Sequence, residues 1–214
     1  MIEDSLGRRP VLARERLFDG RVFDVEAQEF ESGGTRIRRE VVVHPGAVAV
    51  VALNDADEIM LVHQYRHPAG GTLWELPAGL LDVEGESPLL GAQRELAEEA
   101  DLAADTWQTL IDVSTTGGGS TEIIRVYLAT EVRELPEAFA REHEEAEMER
   151  RWVPLAEILE AAATLRIHNA TLLSALLALT QLRARKAAAN GTDARGLVAH
   201  PPDTPFDWHR HHSA

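Results

Sequence analysis

The chain has 214 residues, of which 44% are hydrophobic and 27% charged, and this composition excludes collagen-like, low-complexity and wholly disordered proteins. Its 21 basic and 36 acidic residues give a formal net charge of −15, so we expect neither nucleic acid nor an anionic membrane as a partner. The absence of cysteine excludes thiol catalysis, thiolate metal sites and disulfides. The start, MIEDSLGRRP, lacks the apolar core of a secretory signal, and no run of 18 apolar residues occurs, so we expect a cytoplasmic protein.

The N-terminal part of the chain has the pattern of strands. Residues 1–15 carry mixed charge and indicate a loose segment, whereas residues 22–43 predict a hairpin with its turn at residues 31–35. Two short apolar runs follow, at residues 48–53 and 59–65, and each fits a strand buried on both faces. The turn signal between them predicts that these two strands pair.

The rest of the chain mixes strands and helices. Short strands are predicted at residues 73–76, 107–113, 123–128 and 152–153, and helices at residues 88–100, 155–165 and 170–185. The order lacks strict β-α-β alternation, which predicts a mixed α/β (α+β) sandwich rather than a doubly wound sheet. We divide the chain into a strand arm (1–45), a main domain (46–186) and a flexible tail (187–214) whose histidines, at 209, 211 and 212, have no evident role.

The helix at residues 88–100 carries a cluster of carboxylates. At about 100° per residue, Glu95 and Glu99 lie on one helix face, with Glu98 close by and Glu86 just before the helix. Because like charges repel, a cation would stabilise this cluster, and all-oxygen ligands suit Mg²⁺ or Mn²⁺. Arg94 is four residues from Glu98 and can orient such ligands through an ion pair. The alternative is an ordinary solvated, charged helix face.

The same segment resembles the Nudix box, G-x5-E-x7-R-E-U-x-E-E-x-G-U, in which U is aliphatic. Glu86, the seven-residue gap and the run from Arg94 to Glu99 all match. Two positions depart from the motif, because six residues separate Gly79 from Glu86 and because Asp101 replaces the final glycine. That glycine supplies a left-handed helix end, which aspartate tolerates, so we predict a strained but intact cap that Asp101→Gly would stabilise slightly.

Three further segments, at residues 39–47, 64–66 and 73–79, are similar to the ADP-ribose pyrophosphatase branch of the Nudix hydrolases, and most of all to its actinobacterial type. The resemblance covers about residues 15–185. It implies a Nudix α/β/α sandwich with an N-terminal β-hairpin arm, a homodimer, and Mg²⁺-dependent hydrolysis of ADP-ribose to AMP and ribose 5-phosphate. The substrate class implied is a small nucleoside diphosphate derivative.

The resemblance also implies roles for individual residues. The metal ligands would be the backbone carbonyl of Ala78 and the carboxylates of Glu95 and Glu99. Glu98 and Glu86 would bind a second metal ion or support the ligands, and Arg94 would orient them. A loop glutamate would assist catalysis. Counting from the box points to Glu145 and then to Glu144, with Glu142 and Glu147 left open, and the alternative is a solvated acidic loop.

Substrate contacts are expected from two arginines, Arg39 and Arg66, and two glutamates, Glu75 and Glu122. The alternative for the arginines is a surface ion pair. Two other functions remain open from the sequence. One is a Nudix hydrolase of another nucleoside diphosphate derivative, such as a nucleotide sugar or a dinucleotide, and the other is a non-catalytic Nudix domain that senses a ligand.

Overall fold

A computed structural model describes residues 2–5, 7–139, 148–188 and 200–206. The chain divides into two compact units. The first comprises Met1–Gly46, Ser114–Ile123 and Pro205–Ala214, and the second comprises Ala47–Val113 and Ile124–Thr204.

The first unit contains a three-stranded antiparallel sheet in the order β1-β2-β3, formed by β1 (Ala13–Asp19), β2 (Asp24–Ser32) and β3 (Thr35–Val43). The predicted hairpin is confirmed by the pairing of β2 with β3, and its turn uses Gly33 and Gly34 at positive φ. The prediction of a loose segment over residues 1–15 is wrong from Ala13 onward, because β1 pairs with β2. Every residue of β1 is exposed, so it lacks the alternation that burial of one face produces.

The second unit holds two sheets, three α-helices and the short 3₁₀ helix His67–Ala69. A four-stranded sheet has the order β7-β4-β9-β8 and consists of β4 (Ala47–Ala52), β7 (Ala78–Leu80), β8 (Leu102–Ser114) and β9 (Ile123–Glu134). A three-stranded sheet has the order β10-β5-β6 and consists of β5 (Glu58–Arg66), β6 (Gly71–Glu75) and β10 (Glu149–Pro154). The helices are α1 (Pro88–Ala100), α2 (Leu155–Ala163) and α3 (Ala170–Ala188).

The predicted pairing of the two central apolar runs is wrong. Both runs are strands, but β4 pairs with β7 and, in parallel, with β9, whereas β5 pairs with β6 and β10. Between the two runs only an isolated bridge, Leu53 to Ile59, is formed. A turn signal between two strands that follow each other in sequence therefore does not show that the two strands pair.

The apolar core of the second unit lies on both faces of β4. Ala49 and Val51 belong to a cluster that includes Leu172 and Leu176 of α3. Val48 and Val50 point to the opposite cluster, which includes Leu96 of α1. Because successive strand residues alternate between faces, β4 is covered by helices on both sides, as expected for the predicted mixed α/β/α sandwich.

Part of the predicted flexible tail is bound to the second unit. The backbone amide of Thr109 on β8 donates to the carbonyl oxygen of His200 over 2.8 Å, and Arg125 on β9 donates to the carbonyl of Thr204. The carbonyls of this stretch thus provide hydrogen-bond acceptors for the sheet, which the sequence analysis did not foresee. The histidines at 209, 211 and 212 lie outside the described residues. Within the described parts of the chain, no helix is both long and apolar enough to span a bilayer.

Candidate active site

Helix α1 places the carboxylate cluster, and local signals set both of its ends. The Ser87 hydroxyl accepts a hydrogen bond from the amide of Leu90 over 3.3 Å, and Pro88 occupies the first turn. Asp101 ends the helix in the left-handed conformation, with φ 55° and ψ 37°, as predicted. The buried residues Ala92 and Leu96 fix the inner face of the helix and thereby determine which way its carboxylates point.

Arg94 lies at the centre of three carboxylates. Its guanidinium donates two hydrogen bonds of 3.1 Å to Glu86. One further bond joins it to Glu95 at 2.5 Å, and another joins it to Glu98 at 3.1 Å. Hydrogen bonding to Glu86 and then to Glu95 raises the pKa of Arg94 above its ordinary value, against the effect of burial. The carboxylate cluster that was predicted to attract a metal cation therefore already surrounds a cationic side chain, that of Arg94 on the same helix.

Glu99 connects α1 to β7. Its side chain is buried, with the residue 7% exposed, and it accepts a hydrogen bond of 2.9 Å from the backbone amide of Ala78. The next residue, Gly79, lies against Glu95, and a Cβ atom built at Gly79 would overlap with that carboxylate. The structure thus brings Ala78 next to Glu99, and Gly79 next to Glu95.

The chemistry of this face fits a divalent cation. The side chains that could bind a metal ion here offer carboxylate oxygens, which are ligands that Mg²⁺ prefers. Three of these carboxylates already converge on the positive charge of Arg94. Among the described residues, however, no three acidic or histidine side chains are already arranged as a metal site. The reason is that Glu86, Glu95 and Glu98 face Arg94, while Glu99 faces the amide of Ala78.

Two of the predicted substrate-binding residues are paired with each other. Arg66 on β5 and Glu75 on β6 form a fork-shaped ion pair in which Nη2 lies 2.6 Å and Nε 3.1 Å from Oε2 of Glu75. Glu75 is buried, at 6% exposure, whereas Arg66 is half-buried. The backbone of β5 and β6, which are neighbouring strands, sets this pair.

The other two predicted substrate residues belong to the first unit. Arg39 is exposed on β3 and donates to the carbonyl of Arg38 over 3.1 Å. Glu122 accepts a hydrogen bond from the hydroxyl of Thr115 and lies 3.6 Å from Nε2 of His44. Burial lowers the pKa of His44, although the charge of Glu122 acts in the opposite direction.

The predicted loop glutamates, Glu144 and Glu145 together with Glu142 and Glu147, lie outside the described residues. The Trp74 ring stacks on His63 at 4.3 Å between centroids and also packs against the apolar cluster beside α3. The two rings lie opposite each other because His63 on β5 pairs with Trp74 on β6.

Comparison with known proteins points to one family. A profile described as the NUDIX domain matches residues 43–176. The chain is 47% identical over 171 residues to the ADP-ribose pyrophosphatase of Mycobacterium tuberculosis (strain ATCC 25618 / H37Rv), covering 78% of this chain and 81% of that protein. It is 37% identical over 161 residues to the ADP-ribose pyrophosphatase of Bacillus subtilis (strain 168), covering 74% and 85%.

A solved structure described as an ADP compounds hydrolase has a similar fold, with a TM-score of 0.69 over 86% of this chain and 98% of that chain. At 24% identity, this likeness concerns the fold alone. The profile match spans more than half of the chain and contains α1 with all of its carboxylates, and both relatives align over most of their length. The chain therefore belongs to the Nudix family.

Proposed function

We propose that this chain is a Mg²⁺-dependent Nudix hydrolase that cleaves the pyrophosphate of ADP-ribose to AMP and ribose 5-phosphate. The observation that carries the proposal is the carboxylate face of α1, where three glutamates surround one cationic group. Two relatives named ADP-ribose pyrophosphatase, at 47% and 37% identity, support the choice of substrate. In the reaction, water adds across the P–O–P bridge, so that one phosphorus gains the water oxygen and the bridging oxygen leaves on the other.

Nudix hydrolases generally depend on a divalent metal ion, and Mg²⁺, with Mn²⁺ as a substitute, suits the oxygen donors of this chain. The residues that would hold it are Glu95, Glu99 and the carbonyl of Ala78, with Glu98 and Glu86 as further or supporting ligands. When bound, the ion would neutralise the pyrophosphate and make water a better nucleophile. Such a counter-charge matters here because the protein itself carries a net charge of −15.

The remaining roles concern the substrate and the attacking water. Arg66 would bind a phosphate or the adenosine half, with Glu75 holding the guanidinium in place through the observed fork. Arg39 and Glu122 would contact other parts of the substrate. Glu145, or Glu144 beside it, would take the proton of the attacking water.

We also propose that the protein is a homodimer that associates through its N-terminal strands. Large apolar side chains are exposed on and beside β1, namely Leu12, Leu17, Phe18, Val22 and Phe23. Apolar patches of this kind mark protein interfaces. Sedimentation should give a dimer that Phe18→Ser weakens, whereas Leu177→Ser, at an even more exposed apolar position of α3, leaves it intact. A wild-type monomer would contradict the proposal.

The test of the activity is product analysis with purified protein, Mg²⁺ and a panel of ADP-ribose, nucleotide sugars, NADH and dinucleotides. We expect ADP-ribose to be hydrolysed fastest, with AMP and ribose 5-phosphate as products. Glu99→Gln should lose the activity, because an amide can still accept from Ala78 but is a poor metal ligand. The matched control is Glu84→Gln, which removes the same charge at an exposed position before α1.

The other outcomes separate the alternatives. Faster hydrolysis of a nucleotide sugar or a dinucleotide would keep the reaction and change the substrate. Binding of ADP-ribose without turnover, with either Mg²⁺ or Mn²⁺, would indicate that the protein is a ligand sensor and not an enzyme.

A further inference from the structure

A cluster of side chains in the first unit surrounds the carboxylate of Glu122. The hydroxyl of Thr115 donates to its Oε2, and Nε2 of His44 lies 3.6 Å from its Oε1. The backbone amide of Glu122 also donates to the hydroxyl of Ser120 over 3.1 Å. Both carboxylate oxygens and the adjoining backbone therefore have a partner, which restricts the rotamers that the Glu122 side chain can adopt.

The imidazole of His44 is itself held in one orientation. Its Nδ1 accepts a hydrogen bond of 3.1 Å from the backbone amide of Gly46, so the proton of the neutral ring is on Nε2, the atom that faces Glu122. The His44 side chain is only 11% exposed. At 3.6 Å the contact with Glu122 is longer than a direct hydrogen bond, so the attraction between the two groups is electrostatic.

The loop before β9 is tied to the end of β3. The amide of Val42 donates to the carbonyl of Gly119 over 2.8 Å, and the amide of Thr121 donates to the carbonyl of Val42 over 2.9 Å. The hydroxyl of Thr121 in turn accepts from the amide of His44 over 2.9 Å. These hydrogen bonds matter because residues 117–119 are consecutive glycines, which by themselves leave the backbone many conformations.

We infer that His44 and Thr115 are positioning residues, which hold Glu122 so that its carboxylate can accept a hydrogen bond from the substrate. The inference rests on the proposed function, in which Glu122 contacts the substrate. An ionised carboxylate only accepts hydrogen bonds and repels phosphate, so its target is a hydroxyl or amino group of ADP-ribose. A carboxylate that is already oriented loses less conformational entropy when the substrate binds.

The test of Thr115 is steady-state kinetics with ADP-ribose. Because valine lacks the hydroxyl, Thr115→Val should raise KM about fivefold and leave kcat nearly unchanged. Thr115→Ser, which retains a hydroxyl, should restore the wild-type KM. The matched control is Thr116→Val, because Thr116 is exposed and contributes to the loop through its backbone carbonyl.

Two variants of His44 separate its two contacts. The side-chain oxygen of asparagine can replace Nδ1 as the acceptor for Gly46, but asparagine is too short to reach Glu122, whereas the longer glutamine can present an N–H to that carboxylate. We therefore expect His44→Asn to raise KM about threefold and His44→Gln to raise it less. An equal KM in His44→Asn and the wild type would overturn the role of His44.

A second readout needs no enzymatic activity. The charge of Glu122 raises the pKa of His44, against the effect of burial. In Glu122→Gln that pKa should therefore fall, as followed by NMR of the imidazole protons, with the His44 signal identified by its absence from His44→Asn. The control is Glu40→Gln, which removes the same charge at an exposed position of β3 and should leave the pKa of His44 unchanged.

Unchanged KM in Thr115→Val would overturn the inference for Thr115, and an unchanged pKa of His44 in Glu122→Gln would overturn it for His44. If another compound of the panel is hydrolysed faster than ADP-ribose, the proposed substrate fails, and the same KM comparison with that compound decides the inference. If the protein binds ADP-ribose without turnover, the proposed reaction fails, and the dissociation constant takes the place of KM in the comparison.

Discussion

Gly79 lies so close to the carboxylate of Glu95 that a side chain of even one carbon at position 79 would overlap with it. We therefore predict that Gly79→Ala displaces Glu95 and lowers the free energy of unfolding by about 1–3 kcal/mol, as overpacking does elsewhere. Hydrolysis of ADP-ribose should fall with it. Urea unfolding and a rate assay measure the two effects. Gly71→Ala is the control, because no atom lies within 4 Å of a Cβ at Gly71, and an equally stable and active Gly79→Ala variant would contradict the prediction.

Removal of Arg94 should expose the charge of its three carboxylates. Without divalent metal we expect Arg94→Gln to lose about 1–3 kcal/mol of stability, because Glu86, Glu95 and Glu98 are left without their shared partner. Added Mg²⁺ should then raise the melting temperature more in this variant than in the wild type, since the ion takes over as counter-charge. Arg133→Gln, at an exposed ion pair, should respond like the wild type. If Mg²⁺ raised the melting temperatures of Arg94→Gln and of the wild type by the same amount, the result would argue against metal binding at this face.

The pair of Arg66 with Glu75 predicts an effect on binding rather than on the chemical step. Arg66→Lys cannot form the two-pronged contact, so KM for ADP-ribose should rise about tenfold with kcat nearly unchanged. Steady-state kinetics measure both constants. Arg36→Lys, which alters an exposed pair with Glu29, serves as the control. A fall in kcat at constant KM would assign Arg66 to the chemical step instead.

His44 predicts how stability depends on pH. Its Nδ1 accepts a hydrogen bond from the amide of Gly46 over 3.1 Å, and burial lowers its pKa below the ordinary 6.5, with the charge of Glu122 opposing the shift. The unfolded chain therefore binds a proton at higher pH than the folded protein, so the stability contributed by neutral His44 is lost as the pH falls below about 6.5. Urea unfolding between pH 7.5 and 5 should show this loss.

In His44→Asn the loss should be smaller, because asparagine can accept from Gly46 without titrating. The comparison with the wild type cancels the contribution of the many carboxylates that titrate at lower pH. Identical pH dependence in the two proteins would show that His44 is not responsible.

Local features of the fold could be predicted from the sequence. The ends of α1 were predicted correctly because Pro88 and Asp101 act on the backbone next to them. The convergence of carboxylates on one face of α1 follows from the helical period alone. In contrast, β1 gave no signal because all of its residues are exposed.

Contacts between distant parts of the chain could not be predicted. Glu99 and Ala78 are 21 residues apart, and Asp101 and Arg150 are 49 apart, so only the assembled sheets and helices bring them together. The partners of β4 were missed for the same reason, because its parallel neighbour β9 follows it by some 70 residues. Of the three ion pairs that Arg94 forms, only the pair with Glu98, one helical turn away, was predicted.

The hydrogen bond between Thr109 and His200 has a consequence for the solubility of the protein. β8 is the outer strand of its sheet, and the amide of Thr109 donates to the carbonyl of His200. An outer strand with unsatisfied backbone groups is a template on which another molecule can add a strand. A chain shortened after Ala188 would offer that amide to other molecules and should aggregate more readily on storage, even though the carboxylates of α1 remain untouched.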